Sequence, residues 1–132
     1  MAAHVYPTVA EAIEMHRHLI EEFGGRHGLR DRAALEAAIF RPQIGYYNSL
    51  TEEAAALMES LVNNHGFVDG NKRIGFALAD TFLRANGCYL EVEALATHKF
   101  IMDAMSKGKF RFGVIHDWIS AHVKPLCKAR KA

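Results

Sequence analysis

The stretch from Asn71 to Asn86 reads as one helix that is apolar nearly all round, with Ile74, Phe76, Ala77, Leu78, Ala79, Phe82, Leu83 and Ala85 spread over its circumference. Such a helix has no face to offer to water, so it must run through the middle of a bundle and be covered by other helices. The flanking sequence supplies that cover. Val9, Ile13, His16, Ile20 and Phe23 recur at helical spacing, with Thr8 placed to cap the start and Gly24-Gly25 to end it. The loop Gly25–Arg30 leads to Asp31, the cap of a second helix that runs through Phe40 and is broken at Pro42. A third helix beginning near Thr51 carries Ala54, Leu57, Met58, Leu61, Val62 and His65 on one core-directed face, with Gly66 as its C′ residue. Asn86-Gly87 closes the central helix, and two more helices are expected near Glu93–Ser106 and Val114–Val123, split by Lys107-Gly108-Lys109. Gln43–Leu50 reads as an exposed hairpin or irregular flap, and Cys88–Val92 as an extended connection, with a short strand as the alternative. The expectation is an all-α bundle of about six helices, a compact single domain over residues 1–132 with a short flap.

A net charge of +1 provides no global field to gather nucleic acid or an anionic membrane, so direct contact with either is not expected. The local run Lys124, Lys128, Arg130, Lys131 reads as a solvated helix end. Cys88 and Cys127 stand in no metal-ligand pattern and read as reduced thiols. Met1–Pro7 lacks the basic and apolar regions of a signal peptide, and no apolar run is long enough to span a bilayer. A cytoplasmic, soluble protein is expected.

Between the third and central helices lies His65-Gly66-Phe67-Val68-Asp69-Gly70-Asn71-Lys72-Arg73. It places an imidazole, a carboxylate, a Gly-Asn turn and two adjacent cations at the N-terminus of a helix. Unpaired backbone N–H groups and the positive end of the helix dipole favour an anion there. Lys72 and Arg73 oppose that dipole, a placement that makes sense when a phosphate pairs with both. As a plain helix connection, Asp69 and Asn71 would be caps, Gly70 the turn former and Phe67 a core plug; that reading leaves the histidine facing two consecutive cations unexplained. A Walker A loop is ruled out, because the segment is too short, follows a helix, and has Arg73 where Ser or Thr must hold magnesium. The eight histidines form no zinc-type motif, and His16 and His18 fall on roughly opposite helix faces. Arg111 and His116 have the spacing found in some helical ribonuclease toxins, a weak pattern that arises easily by chance.

The order His65-x-Phe67-x-Asp69-Gly70-Asn71-Lys72-Arg73 resembles the signature loop of the Fic/Doc superfamily, specifically its Doc (death-on-curing) branch. The likeness extends to a first helix ending Phe23-Gly24-Gly25, a helix ending Arg41-Pro42-Gln43, and a central helix closed by Asn86-Gly87. Against the broader Fic pattern, Gly66 replaces proline, Lys72 replaces the second glycine, and Phe76 stands where a second arginine would be. Typical Fic enzymes transfer AMP, with that second arginine helping to hold the nucleotide; Doc-type relatives instead transfer the γ-phosphate of ATP.

What the resemblance implies is a kinase-like toxin acting on a hydroxyl of a target such as elongation factor Tu and arresting translation. His65 would be the general base, since an imidazole suits proton transfer at neutral pH. Asp69 would bind Mg2+ alongside ATP, Gly70 would admit the phosphate close to the backbone, and Asn71 would order the loop or donate to phosphate. Lys72 and Arg73 would neutralise charge on the transferred group, and the Gln43–Leu50 flap would take the target as an added strand. The self-inhibitory pattern of many Fic enzymes is not matched; Ser49 to Glu53 comes nearest and is followed by Ala54. Restraint would therefore come from a Phd-type antitoxin. Fic-type AMP transfer and a non-catalytic binding module are the alternatives.

Overall fold

The first three helices of this chain start on short polar side chains. In the computed structural model, which describes residues 4–126, Thr8 Oγ1 accepts from Glu11 N at 3.1 Å while the Glu11 carboxylate accepts from Thr8 N at 2.9 Å. This reciprocal capping box opens α1 (Val9–Phe23). The Asp31 carboxylate caps α2 (Arg32–Phe40) through Ala34 N at 3.1 Å, and Ser49 Oγ caps α3 (Leu50–Asn63) through Glu52 N at 3.2 Å. Then come α4 (Asn71–Ala85), α5 (Ala94–Ser106) and α6 (Phe112–His122). The six-helix, all-α architecture is thus as expected.

α4 is not covered all round as expected: it packs one face inward, with Ile74, Gly75, Leu78, Ala79, Phe82 and Leu83 out of solvent, while Arg73, Thr81, Arg84 and Ala85 on its other side are exposed. It lies along α3, which buries an alanine-rich face, Ala54–Ala56, together with Leu57, Met58, Leu61 and Val62. Small residues on α3 bring the two helices close. At Gly75 the approach is closest: a Cβ there would lie 2.5 Å from Val62 Cγ2. Valine is stiff about χ1 and Val62 is only 1% exposed, so it cannot swing aside. Gly75→Ala should therefore lower unfolding free energy by about 1–2 kcal/mol, the overpacking outweighing alanine's better helix propensity. Adding Val62→Ala should restore part of that loss in denaturant titrations; additive losses would show that the contact is not the cause.

Two local expectations are corrected. Cys88–Leu90 is a strand, β1, which pairs antiparallel with β2 (Val123–Pro125) in the register Cys88↔Pro125, Tyr89↔Lys124, Leu90↔Val123. Each segment satisfies the other's backbone, and the partner lies too far along the chain for local pattern to reveal it. For the same reason Lys124 sits in a strand rather than at a helix end, and α6 stops at His122. Cys127, Lys128, Arg130 and Lys131 lie outside the described residues.

The flap takes the irregular of its two expected forms. A 3-10 turn at Arg41–Gln43 leads through bends to Ser49, with no strand in residues 43–50. Arg41 anchors it, donating to Glu59 Oε1 at 2.8 Å, Ser60 Oγ at 2.9 Å and Tyr47 Oη at 2.7 Å. Ile44 and Tyr46 project into solvent. Among the described residues no helix is long and apolar enough to cross a membrane.

Candidate active site

The loop His65–Gly70 joins α3 to α4, and each of its residues is positioned by something identifiable. α3 ends at Asn63, with Asn64 as C-cap, so His65 lies beyond the helix and not on its core-facing side as expected. Its φ is +52°, the one positive value at a non-glycine among the described residues, and its side chain is exposed. The reversal at His65, rather than at Gly66, turns the chain so that Phe67 enters the core at 2% exposure. Gly66 serves a different need: it is buried, and a Cβ there would lie 3.3 Å from Leu35 Cβ. A stripe continued by periodicity could not register this early exit from the helix.

Phe67 is held on three sides. His16 of α1 stacks on it with ring centroids 3.8 Å apart and planes 8° from parallel. Leu29 pairs with it as an isolated antiparallel bridge. The Asn71 side-chain amide accepts from Phe67 N at 3.1 Å and donates to Phe67 O at 3.0 Å, clasping the loop from within.

His16 also secures the turn itself. Its Nε2 donates to the Asp69 carbonyl at 2.7 Å, and it is only 3% exposed. Burial pushes its pKa below the ordinary imidazole value, although the Asp69 carbonyl pulls the other way. Gly70 adopts φ +78° against His16 and Ile20, and a Cβ there would lie 3.1 Å from Ile20 Cδ1. The tight packing and the left-handed backbone together call for glycine.

Asp69 is exposed, and both of its carboxylate oxygens are engaged by backbone. Arg26 N donates to Oδ2 at 3.0 Å and Gly70 N to Oδ1 at 2.9 Å. These donors, Arg26 first, hold the carboxyl below the usual range, with Arg73 and Arg26 adding favourable charge. Arg73 Nη1 donates to the Gly24 carbonyl at 3.0 Å, and its guanidinium lies 5.4 Å from the Phe23 ring centroid. Among the described residues its other donors have no protein partner. Lys72 is half-buried and makes no ion pair among them. α4 itself opens at Gly70 with no side-chain cap, so its first N–H groups stay available beside Asp69.

Thus Asp69 is bonded to Gly70 and Arg26, Asn71 to Phe67 and Arg73 to Gly24, and His65 stands at the start of the same loop. The Gly24–Asp31 segment braces this loop throughout and was invisible to motif reading. Besides Arg26 and Leu29, it contributes Gly28 O to Val68 N at 2.9 Å, and Arg30 N and Asp31 N to Gly66 O at 2.8 and 3.0 Å. The only available signal was the glycine-rich composition of Gly24, Gly25 and Gly28. Gly25 is needed because a Cβ there would stand 2.9 Å from Asp69 Oδ2.

The Arg111 and His116 pair lies outside this loop. His116 Nε2 lies 3.1 Å from Thr51 Oγ1 and the ring stacks on Phe112, which accounts for it structurally, while Arg111 is the N-cap of α6. Ser49 is occupied as the cap of α3. Phe76 is half-buried and edge-on to Trp118 at 6.4 Å, so no cation follows Arg73 one turn later. Among the described residues no three His, Cys, Asp or Glu side chains gather to hold a metal ion.

The model of the Fic/DOC family matches residues 6–83, a span that contains the whole loop. Among curated proteins, the chain is 46% identical over 76 residues to "Toxin Doc" of Mycolicibacterium smegmatis, covering 54% of this chain and 58% of that protein. It is 35% identical over 88 residues to "Protein kinase doc" of Escherichia phage P1, covering 64% of this chain and 68% of that protein. The first of these matches spans less than two thirds of its relative's length.

Proposed function

We propose that this chain, which belongs to the Fic/DOC family, is a Doc-type toxin of a toxin–antitoxin pair that transfers the γ-phosphate of ATP to a hydroxyl of a target protein. The observation that carries this reading is the uncapped N-terminus of α4, framed by an ionised Asp69 and the cationic Lys72 and Arg73, with an exposed His65 at the start of the same loop. Its features match what phosphoryl transfer needs, positioning and charge stabilisation with little covalent work by the protein.

On this reading the first-turn amides of α4 and the left-handed Gly70 receive phosphate oxygens. Lys72 and Arg73 offset charge building on the transferred group, Arg73 through the guanidinium donors that Gly24 leaves unused. His65 takes the proton from the target hydroxyl as that oxygen bonds to phosphorus and the bond to the bridging oxygen breaks, releasing ADP. Asp69 suits a single hard-cation contact: it is exposed, charged and oriented by two N–H donors, each leaving lone pairs free. Mg2+ held there would supply charge neutralisation across the phosphates.

The half-buried Phe76 removes the cation that would favour attack at the α-phosphate, which supports γ-phosphate over AMP transfer. The flap, with Ile44 and Tyr46 exposed, is the surface proposed for the target segment, of the elongation factor Tu type. Restraint is assigned to a Phd-type antitoxin in the cytoplasm. Incubating the purified protein with a bacterial lysate and γ- or α-labelled ATP tests the chemistry. Label from the γ-position alone, with a phosphate mass gain on one protein, is expected; α-label would indicate AMP transfer. No label, with no calorimetric binding of ATP and Mg2+, would leave a non-catalytic module. Growth arrest on expression, relieved by a co-expressed neighbouring reading frame, tests the pairing.

A further inference from the structure

Nothing among the described residues hydrogen-bonds the His65 ring, so the direction in which it leaves the chain is set by its backbone. That backbone is left-handed at a residue with a side chain, a conformation costing on the order of 1–2 kcal/mol. It persists only where surroundings enforce it. Among the described residues Arg30 is the side chain that hydrogen-bonds the His65 backbone. Its Nε donates to the His65 carbonyl at 2.7 Å and its Nη2 to the Asn64 carbonyl at 3.4 Å, while Arg30 N donates to the next carbonyl, that of Gly66, at 2.8 Å. One residue thus engages three consecutive carbonyls where α3 ends. The guanidinium also sits at the negative end of that helix, where a cation is stabilised.

We propose that Arg30 is a positioning residue that fixes the left-handed turn at His65 and thereby aims its imidazole at the reacting hydroxyl. The role of His65 as base rests on the function proposed above; the control of its backbone does not. The Arg30 side chain hydrogen-bonds only the carbonyls of Asn64 and His65, so its removal should leave nucleotide binding, which falls to Asp69, Lys72, Arg73 and the α4 amides, untouched.

The test compares wild type with Arg30→Ala and Arg30→Lys by steady-state transfer, calorimetric binding of ATP with Mg2+, and NMR of the His65 backbone and ring. Arg30→Ala should lower kcat by about ten- to hundredfold, the scale of a misplacement near 1 Å, with KM for ATP unchanged. The His65 backbone shifts should leave left-handed values or broaden. Arg30→Lys keeps the charge but not the fork, so it should recover the folding midpoint and only part of kcat. Unchanged His65 resonances in Arg30→Ala would overturn the proposal, whether or not kcat falls, and so would a loss of stability with full kcat per folded molecule. If Arg30→Ala does not fold, Arg30→Lys decides by the same resonances. If wild type transfers no label, the proposed chemistry fails, while the resonances still decide what Arg30 does.

Discussion

His65→Ala is expected to lower phosphoryl transfer by about 10²–10⁴-fold, the range for loss of a positioned general base. The fold should be indifferent to it. The side chain is exposed and meets no hydrogen-bonding partner among the described residues, and alanine, though less suited to φ +52° than histidine, should cost no more than about 0.5 kcal/mol at such a surface position. Circular dichroism and the denaturant midpoint should therefore match wild type while product formation collapses. ATP and Mg2+ should still bind, since their proposed contacts lie at Asp69 and the start of α4. Retained activity would remove His65 from the mechanism. Arg73→Ala should cost about 10²–10³-fold by analogy with loss of one preorganised charge-stabilising donor. Unlike His65, Arg73 also ties α4 to the Gly24 carbonyl at the end of α1, so a small loss of stability should accompany it. Denaturation of both variants separates the two effects.

Phe67→Ala is the substitution expected to damage most at once. The ring is 2% exposed, stacked on His16 and fixed through its backbone to Asn71 and Leu29. Truncating a buried phenylalanine costs about 3–5 kcal/mol, a large share of the roughly 5–15 kcal/mol that holds a typical domain together. The loop would also lose the plug that seats it, so activity per folded molecule should fall although Phe67 touches no reacting group. Phe67→Leu, which refills part of the volume, should recover stability further than activity, because leucine cannot reproduce the parallel stack with His16. A loss below about 1 kcal/mol in chemical denaturation would mean that the loop is anchored elsewhere.

The elements read most reliably from sequence were those whose cause is local. Thr8 and Asp31 form caps within three residues of themselves, and the inward face of α4, Ile74, Leu78, Ala79, Phe82 and Leu83, follows from side chains on one helix. Phe67 as a core plug and Asn71 as organiser of the loop were also legible, since both act inside the loop that contains them. The ordered identity of His65–Arg73 named the family, whose model spans those residues.

Sequence by itself therefore determined the helical bundle, the central helix and the chemical inventory of the loop, because each depends on neighbours a few bonds away. Tertiary structure alone decided that His65 leaves α3 in a left-handed turn, that Cys88–Leu90 becomes a strand, and that Arg26, Leu29 and Arg30 brace the site. Those outcomes hinge on which distant backbone carbonyls and amides come to face one another once the helices have packed, and pairings of that kind leave no periodic trace in the chain that makes them.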